Sequence, residues 1–318
     1  MAKEFPKDSL GDRMKEYEAA ETERYFMRGL PLYARIDGRA FHTFTRGLES
    51  QFPTSTDTHH QLFKAMQYVC RRLVDKLNAD MGFVQSDEIS LGWKDIKSAP
   101  FDGRIFKLES VIASQATGFF YRFAFSQEFD DDRCNPESSC SVDRTILQDR
   151  IFSIVPTFDC RVFQVPNIME LVNLFVWREN DAIKNSVSSY AQEFFSANEL
   201  NGKTQTARME MLREAGHDWH ELPLTVKRGT YYARRNKTIS GPEGDYVRTV
   251  VEEKFDHEQL AKIENKVGYF FNDEEPVLIN RSNNNGDVRI VKIDGRIPDD
   301  VRELISDFPN AAEEEDVP

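Results

Sequence analysis

The stretch GFVQSDEISLGW, residues 82–93, decides how the rest of the chain is interpreted. Short apolar runs lead into it and out of it, a pattern typical of two buried strands joined by a tight turn. Between these runs stand two adjacent acids, Asp87 and Glu88. Carboxylates are seldom buried unless they are paired or bind a metal ion. The stretch therefore predicts a β-hairpin whose end carries a function, although a merely polar hairpin tip would fit the same residues.

The segments on either side of this hairpin predict an alternation of strands and helices. LPLYARID, residues 30–37, is typical of a strand, and apolar residues at spacings of three and four predict a helix over 59–79. A second helix is predicted over 103–125, an alternating strand over 157–166 and a long amphipathic helix over 167–195. The order β-α-β-β-α-β-α indicates an α+β fold of the ferredoxin-like βαββαβ type.

The C-terminal part of the chain has a different pattern, and we predict two domains, 1–240 and 241–318. The segments DYVRTVVEEKF, VGYFFNDEEPVLIN and GDVRIVKID are typical of short strands, which predicts a β-rich appendage with a disordered acidic tail, AAEEEDVP. Of the formal net charge of −13, residues 241–318 carry −11. The acidity therefore does not exclude polyanion binding by residues 1–240.

The composition also bounds the cellular context. No run of 18 apolar residues is present, and the charged N-terminus lacks the apolar core of a secretory signal. The four cysteines form no CxxC pair, which favours reduced thiols over a zinc site or disulfides. We therefore expect a cytoplasmic protein with no membrane partner.

Asp37 ends the predicted first strand, and in a βαββ arrangement this strand is a neighbour of the hairpin. We expect Asp37 and Asp87 at the same end of the sheet, where a divalent cation would relieve their mutual repulsion. Carboxylate oxygens suit Mg²⁺, and Gly38 permits close approach of a backbone carbonyl as a further ligand. Because adjacent strand residues point to opposite faces, Glu88 would either assist this site or hold a neighbouring helix.

Several residues are candidates for binding phosphate and RNA. GRAFH, residues 38–42, stands at a predicted helix start, where backbone N–H groups bind anions. Arg104 and Lys107 share one helix face, and Ser86 lies in the hairpin turn; a solvated face and a turn hydrogen bond are the alternatives. The basic and aromatic segment 227–237 suits RNA, or else balances the acidic C-terminal part. Its candidate RNA-binding residues are Lys227, Arg228, Arg234, Arg235 and Lys237.

These motifs resemble the tRNA-His guanylyltransferase family and its Thg1-like relatives. The clearest match is RIDGRAFHTF, residues 35–44, to the family signature Arg, aliphatic, Asp-Gly-Arg, any residue, Phe-His. The second family block resembles QSDEISL, residues 85–91. Further matches follow in the family order, at 104–114, 158–181 and 227–232. The resemblance covers residues from about 30 to 232, and beyond about 240 none is found.

The resemblance implies a palm-like catalytic domain that uses two Mg²⁺ ions. Members of the family add a nucleotide to the 5′ end of tRNA with GTP and ATP as substrates, and they are commonly tetramers. The metal ligands it implies are Asp37, Gly38 and Asp87, and the catalytic residues are Asp37, Asp87 and Glu88. The nucleotide-binding residues it implies are Asp37, Gly38, Arg39, Ala40, Phe41, His42, Ser86, Asp87, Arg104 and Lys107.

Three departures from the family pattern leave the substrate open, and one of them is that the family's later Lys-Asn-Glu segment is weakened to RMEML at 208–212. Where the family has His-Ile-Asn-Asn, this chain has Ile-Lys-Asn-Ser at 183–186, and its Lys-Pro-Asn-Asp loop appears only as TSTD at 54–57. Both guanylylation of tRNA-His and template-dependent repair of tRNA 5′ ends fit these residues. A palm-type nucleotide cyclase or dinucleotide synthase and a non-catalytic RNA-binding relative are the alternatives.

Overall fold

The computed structural model describes residues 9–45, 61–125, 145–241, 244–254, 259–272, 274–280 and 289–290. Its helices are α1 (Ser9–Thr22), α2 (Phe41–Thr45), α3 (Gln61–Lys76), α4 (Ile105–Phe125), α5 (Thr145–Ser153), α6 (Ile168–Phe194), α7 (Ala197–Leu200), α8 (Gln205–Glu214), α9 (Leu224–Arg228) and α10 (Lys266–Phe271). Its strands are β1 (Leu32–Gly38), β2 (Met81–Gln85), β3 (Glu88–Trp93), β4 (Phe158–Gln164), β5 (Thr230–Gly241), β6 (Gly244–Lys254), β7 (Ile279–Asn280) and β8 (Arg289–Ile290).

Six strands form one antiparallel sheet in the order β4-β1-β3-β2-β5-β6. Strand β1 lies next to the edge strand β4 and has β3 on its other side. Strands β2 and β3 form the predicted hairpin, and helices α3 and α4 stand between strands where the apolar spacing placed them. The predicted α+β class is therefore confirmed.

Strand β1 divides its side chains between two cores. Leu32, Ala34 and Ile36 are fully buried against the face of the sheet that α3 and α4 cover. The intervening residues face the other side, where Tyr33 packs against Phe175 of helix α6, their ring centroids 5.5 Å apart. Because alternate strand residues share a face, Arg35 and Asp37 lie on the same side of the sheet as Tyr33, which is the α6 side.

Helix α6 starts at a side-chain cap, and a glycine in β3 lets the helix lie close to the sheet. The side chain of Asn167 accepts a hydrogen bond of 2.9 Å from the Glu170 N–H, which satisfies a free donor at the helix start. A Cβ at Gly92 of β3 would lie 2.8 Å from the ring of Phe175. The glycine thus permits the close approach that fixes the height of α6 above the sheet.

The C-terminal residues depart from the prediction in one segment. Strand β6 pairs with β5 along its length, so the sheet continues past residue 240, the proposed domain boundary; the division into 1–240 and 241–318 stays a prediction. The predicted strand at VGYFF is wrong, since these residues lie in helix α10. Phe270 and Phe271 are adjacent and both buried, which the alternation of a strand facing one core would not allow.

Two further predictions concern the acidic tail and the lack of a membrane-spanning segment. The acidic tail AAEEEDVP lies outside the described residues. Across the described ranges, none of the helices combines the length and apolar character needed to span a bilayer.

Candidate active site

The acids of the first strand and of the hairpin meet at one end of the sheet. Asp37 is paired in register with Glu88 on one side and with Asp159 on the other. The N–H of Gly38 donates a 3.0 Å hydrogen bond to the carbonyl of Asp87, which ties the end of β1 to the hairpin turn. The structure therefore brings together the predicted residues of both motifs.

Two residues beside these acids have unusual backbone conformations. Ser86, in the two-residue turn between β2 and β3, has a φ of 52°, and Ala40, which follows the Asp-Gly-Arg motif, has a φ of 56°. Non-glycine residues seldom adopt positive φ, and such residues concentrate at functional sites where the surrounding structure holds them. Both strained positions lie within three residues of Asp37 or Asp87.

The carboxyl group of Asp87 is partly buried, and burial raises its pKa. The negative charge of Asp37 raises this pKa further, while a hydrogen bond from the Ser86 side chain lowers it. Two acids that repel each other in this way are stabilised when a cation binds between them.

The donor set fits Mg²⁺ with an incomplete protein shell. Among the residues that the structure describes, no group of three or more His, Cys, Asp or Glu side chains is arranged to hold a metal ion. Asp37 and Asp87 would thus supply two carboxylates and Gly38 a backbone carbonyl. Mg²⁺ commonly keeps several waters and binds to one or two carboxylates together with substrate phosphates.

Glu88 has different partners from Asp87. Its carboxylate forms ion pairs with Arg35 of β1, whose Nη2 lies at 2.7 Å, and with Arg178 of α6, whose Nε lies at 2.5 Å and whose Nη2 donates a 2.9 Å hydrogen bond. Burial raises the pKa of Glu88, and the two guanidinium groups offset part of this rise. Of the two roles considered from the sequence, holding a neighbouring helix is the one that these contacts support.

The Asp-Gly-Arg-Ala-Phe-His segment forms a tight turn over a buried aromatic cluster. Phe41, the first residue of α2, is buried, and its ring centroid lies 5.2 Å from that of Phe44 and 5.0 Å from that of Phe158. Arg39 and Ala40 are exposed. The placement of the His42 side chain lies outside the described residues.

Arg104 and Lys107 are not brought to the carboxylates within one chain. Arg104 immediately precedes α4 and Lys107 lies in its first turn. A hydrogen bond from the Ile105 N–H to the Arg24 carbonyl ties this end of α4 to the segment before β1. This is the opposite end of β1 from Asp37, about 17 Å along the strand at about 3.3 Å per residue. Both are exposed, and their cationic groups lie over aromatic rings, 5.6 Å from the Tyr25 centroid for Arg104.

Of the five predicted RNA-binding residues, two lie in helix α9. Lys227 donates a 2.6 Å hydrogen bond to the carbonyl of His220, and its ammonium lies 5.4 Å from the Trp219 ring centroid. Burial lowers the pKa of Lys227. Arg228 ends α9 and acts electrostatically on the buried Glu179. Lys227 is therefore engaged in packing α9 against the preceding loop.

The other three cations lie on β5. Arg234 is partly buried, and Arg235 donates a 3.0 Å hydrogen bond to the carbonyl of Phe270. Lys237 is exposed and forms an ion pair with Glu252 of β6. The assignment of these residues to RNA stays a prediction.

Sequence reasoning gave no role to the two arginines that hold Glu88. Arg178 also pairs with Asp181, one turn further along α6, at 2.9 Å. Two sequence patterns pointed to these arginines. Arg35 alternates with Asp37 on the same strand, and the spacing of three residues places Arg178 and Asp181 on one helix face.

The segment that replaces the family's His-Ile-Asn-Asn motif has a packing function here. Ser186 is buried and accepts a 3.2 Å hydrogen bond from the indole N–H of Trp219. Its hydroxyl also lies 3.1 Å from the carbonyl of Lys227, as donor. Ser186 therefore fastens the loop before β5 to helix α6.

Fold and site together define an α+β protein with paired carboxylates at one end of an antiparallel sheet. Residues 11–166, which contain both acidic motifs, match the family model described as tRNAHis guanylyltransferase, Thg1. Over these residues the chain is similar to the Thg1-like family.

Similar proteins include two that match most of the chain. An uncharacterised protein of Acanthamoeba polyphaga mimivirus is 26% identical over 243 residues, covering 70% of this chain and 76% of its own. The tRNA(His) guanylyltransferase of Debaryomyces hansenii is 26% identical over 250 residues, covering 74% of this chain and 82% of its own. Among solved structures, a bacterial Thg1-like protein in complex with ATP is 28% identical, with a TM-score of 0.63 and coverage of 83% and 99%. The complex described with GTP has a TM-score of 0.59 at 26% identity over the same coverage.

Proposed function

We propose that the protein is a 3′–5′ nucleotidyltransferase that adds nucleotides to the 5′ end of tRNA. The observation that carries this proposal is the meeting of Asp37, Gly38 and Asp87 at one end of the sheet, within the segment that matches the Thg1 family. The relatives described as tRNA(His) guanylyltransferases support the reaction and the acceptor. The Thg1-like structures described with ATP and GTP support these nucleotides as substrates.

The catalytic domain is proposed to be palm-like. The strand order β4-β1-β3-β2, with helices α3 and α4 on one face, supports a ferredoxin-like βαββαβ core. In such a core the ends of β1 and of the β2–β3 hairpin coincide, which places two carboxylates at the same end of the sheet. A nucleotide and an RNA end can then approach the same carboxylates at that end.

The site residues are proposed to position and neutralise phosphate groups. Bound Mg²⁺, two ions by family resemblance, would supply charge neutralisation at the attacking and leaving oxygens. Asp37 and Asp87 would hold the ions with the Gly38 carbonyl, and Ser86 would orient Asp87 through its hydroxyl. Glu88 would act indirectly on the site, by keeping the hairpin fixed to α6.

The acceptor and the assembly are proposed from the family resemblance. The loss of His-Ile-Asn-Asn, with Ser186 taking a packing function, fits repair of incomplete tRNA 5′ ends as well as guanylylation of tRNA-His. A homo-oligomer, a tetramer by family resemblance, is proposed as the active form. Within one chain, Arg104 and Lys107 lie far from the carboxylates. They would contact a substrate held at Asp37 only if that substrate is extended or if a second copy of the chain supplies these residues.

The deciding experiment is nucleotide addition by the full chain. The protein is incubated with labelled GTP, ATP, Mg²⁺ and 5′-monophosphorylated tRNAs, both complete and lacking their first nucleotides. We expect label at the RNA 5′ end, lost in Asp37→Asn and in Asp87→Asn but retained in Asp149→Asn, an exposed acid on α5. A product formed from nucleotides without RNA would favour a cyclase or dinucleotide synthase. No transfer to any tRNA would refute the proposal.

A further inference from the structure

Trp177 of helix α6 is half exposed, whereas its neighbours in the helix serve the core. Its relative exposure is 51%, against 0% for Phe175 two residues earlier. Large aromatic side chains are usually buried, and an exposed one beside a functional site is informative when its surroundings are defined. The indole therefore presents a free aromatic surface on the α6 side of the sheet.

Two guanidinium groups flank this indole. The Arg178 guanidinium carbon lies 4.6 Å from the ring centroid, and that of Arg35 lies 5.9 Å from it. Both arginines also bond the Glu88 carboxylate, so their positions are fixed by ion pairs inside the protein. The ring is consequently held in one orientation, which lowers the entropy lost when a planar ligand stacks on the half of its surface that stays exposed.

The indole lies beside the proposed catalytic end of the sheet. Glu88, which the two flanking arginines share, is opposite Asp37 in the sheet register. Arg35 is two residues before Asp37 and faces the same side. A group stacked on Trp177 would therefore lie one side chain away from the carboxylates, on the sheet face that Asp37 shares.

The charge and polarity of the surrounding surface select the kind of ligand. Arg161 of β4 is paired in register with Arg35, and its side chain is 61% exposed, with only a loose 3.6 Å ion pair to Asp159. Such exposed pairs contribute little to stability, so Arg161 is available to a phosphate. An aromatic ring beside arginines, even ones that are also paired with acids as these are, is a combination that binds single-stranded nucleic acid.

We infer that Trp177 is a stacking platform for the base of the 5′ nucleotide of the acceptor RNA. This inference rests on the proposed function, because the acceptor's 5′ end must reach Asp37 and Asp87. The stacked base would orient the terminal phosphate toward the carboxylates, and Arg161 would contact the RNA backbone. Nothing in the stacking contact requires a particular base, since every base has an aromatic face.

Tryptophan fluorescence gives a direct readout, because the chain has three tryptophans and Trp93 is fully buried. A Trp93→Phe/Trp219→Phe variant of the full chain would report Trp177 alone. Titration with 5′-monophosphorylated tRNA, without GTP or ATP, should quench this signal. The same RNA with an abasic 5′ nucleotide should bind with little quenching.

Affinity measurements test how much stacking on Trp177 contributes to RNA binding. Trp177→Ala should weaken binding of the intact RNA about five- to hundredfold, the range of stacking on one aromatic side chain. Binding of the abasic RNA should be unchanged, and Trp177→Phe should restore most of the affinity. Equal losses for both RNAs, or wild-type affinity in Trp177→Ala, would overturn the inference.

Two other ligands of the indole would also overturn it. If GTP alone quenches Trp177 and Trp177→Ala weakens GTP but not RNA binding, the platform serves the free nucleotide. If Trp177→Ala changes the oligomeric state in sedimentation, the ring belongs to an interface between copies. The binding assay needs no catalysis, so quenching without nucleotide addition would count against the proposed function alone, and addition without quenching would count against the platform alone.

Discussion

Arg178 of helix α6 engages both carboxylate oxygens of Glu88 on strand β3, with Nε 2.5 Å from Oε1 and Nη2 2.9 Å from Oε2. Both side chains are only 11% exposed. Removing one partner of a buried ion pair leaves an uncompensated charge, which costs about 3–5 kcal/mol. Because Arg35 remains, we expect Arg178→Met to lower the free energy of unfolding by about 3 kcal/mol, the low end of that range.

Denaturant unfolding of a double-mutant cycle measures this link. Glu88→Gln combined with Arg178→Met should lose clearly less stability than the sum of the single changes, because neither partner is then left charged and alone. Arg213→Met, which removes an exposed arginine paired with Glu210, is the matched control and should be nearly neutral. Strict additivity at positions 88 and 178 would contradict the link.

The ion pair also shows where sequence reasoning succeeds and where it stops. Asp37, Gly38 and Asp87 were predictable because each lies in a short motif at a strand end, and the βαββ order places those ends together. Arg178 is 90 residues from Glu88, and no local pattern pairs them.

Hydrophobic periodicity alone likewise does not predict where a helix or strand lies in the fold. Helical spacing put Arg104 and Lys107 on one face of α4, but the end of the sheet at which α4 begins depends on tertiary packing against residues 24–26. The VGYFF segment has strand propensity, yet in α10 its Phe270 packs against Phe175 and Tyr231 in the core. Tertiary burial therefore overrode local preference.

Gly38 should not tolerate a side chain, for a reason separate from metal binding. A Cβ added there would overlap the ring of Phe41, well inside van der Waals contact. Overpacking of this kind costs about 1–3 kcal/mol, so Gly38→Ala should lower the midpoint of thermal unfolding. Phe41→Leu in the same chain should recover part of the loss by making room. If Gly38→Ala is as stable as the wild type, the ring is free to move and the close packing has no energetic effect.

Glu179 should make stability depend on pH. It is fully buried on α6, accepts a 2.8 Å hydrogen bond from the Leu260 N–H, and burial raises its pKa to about 7. Because the folded state holds this proton more tightly than the unfolded state, the contribution is full below about pH 4.5 and is lost as the pH rises to about 7. The change corresponds to about 3 kcal/mol.

Glu179→Gln should remove this dependence, since an amide oxygen still accepts the Leu260 N–H but carries no charge. Denaturant unfolding from pH 4.5 to pH 8 would show a flatter profile than that of the wild type. Glu193→Gln, an exposed glutamate on the same helix, is the control and should leave the profile unchanged. Parallel profiles for wild type and Glu179→Gln would show that the buried carboxyl does not titrate in this range.

Asp87 should respond to substitution in opposite directions with and without metal. Burial and the charge of Asp37 raise its pKa, so the ionised group destabilises the metal-free fold at neutral pH and this penalty disappears as the pH falls. Asp87→Asn removes the buried charge and should therefore raise the thermal midpoint in the presence of a chelator. With Mg²⁺ the order should reverse. A ligand at ten times its Kd stabilises the folded state by about 1.4 kcal/mol, and the asparagine variant should lose most of this gain.

Thermal unfolding of wild type, Asp87→Asn and the exposed control Asp149→Asn, each with chelator and with Mg²⁺, separates these effects. Asp149→Asn should behave as the wild type in both conditions. If Asp87→Asn is less stable than the wild type without metal, the carboxylate is held by bonds to its own turn more strongly than the repulsion from Asp37 opposes it. If Mg²⁺ stabilises wild type and Asp87→Asn equally, the ion binds elsewhere, and the hairpin acid serves the turn and not the metal.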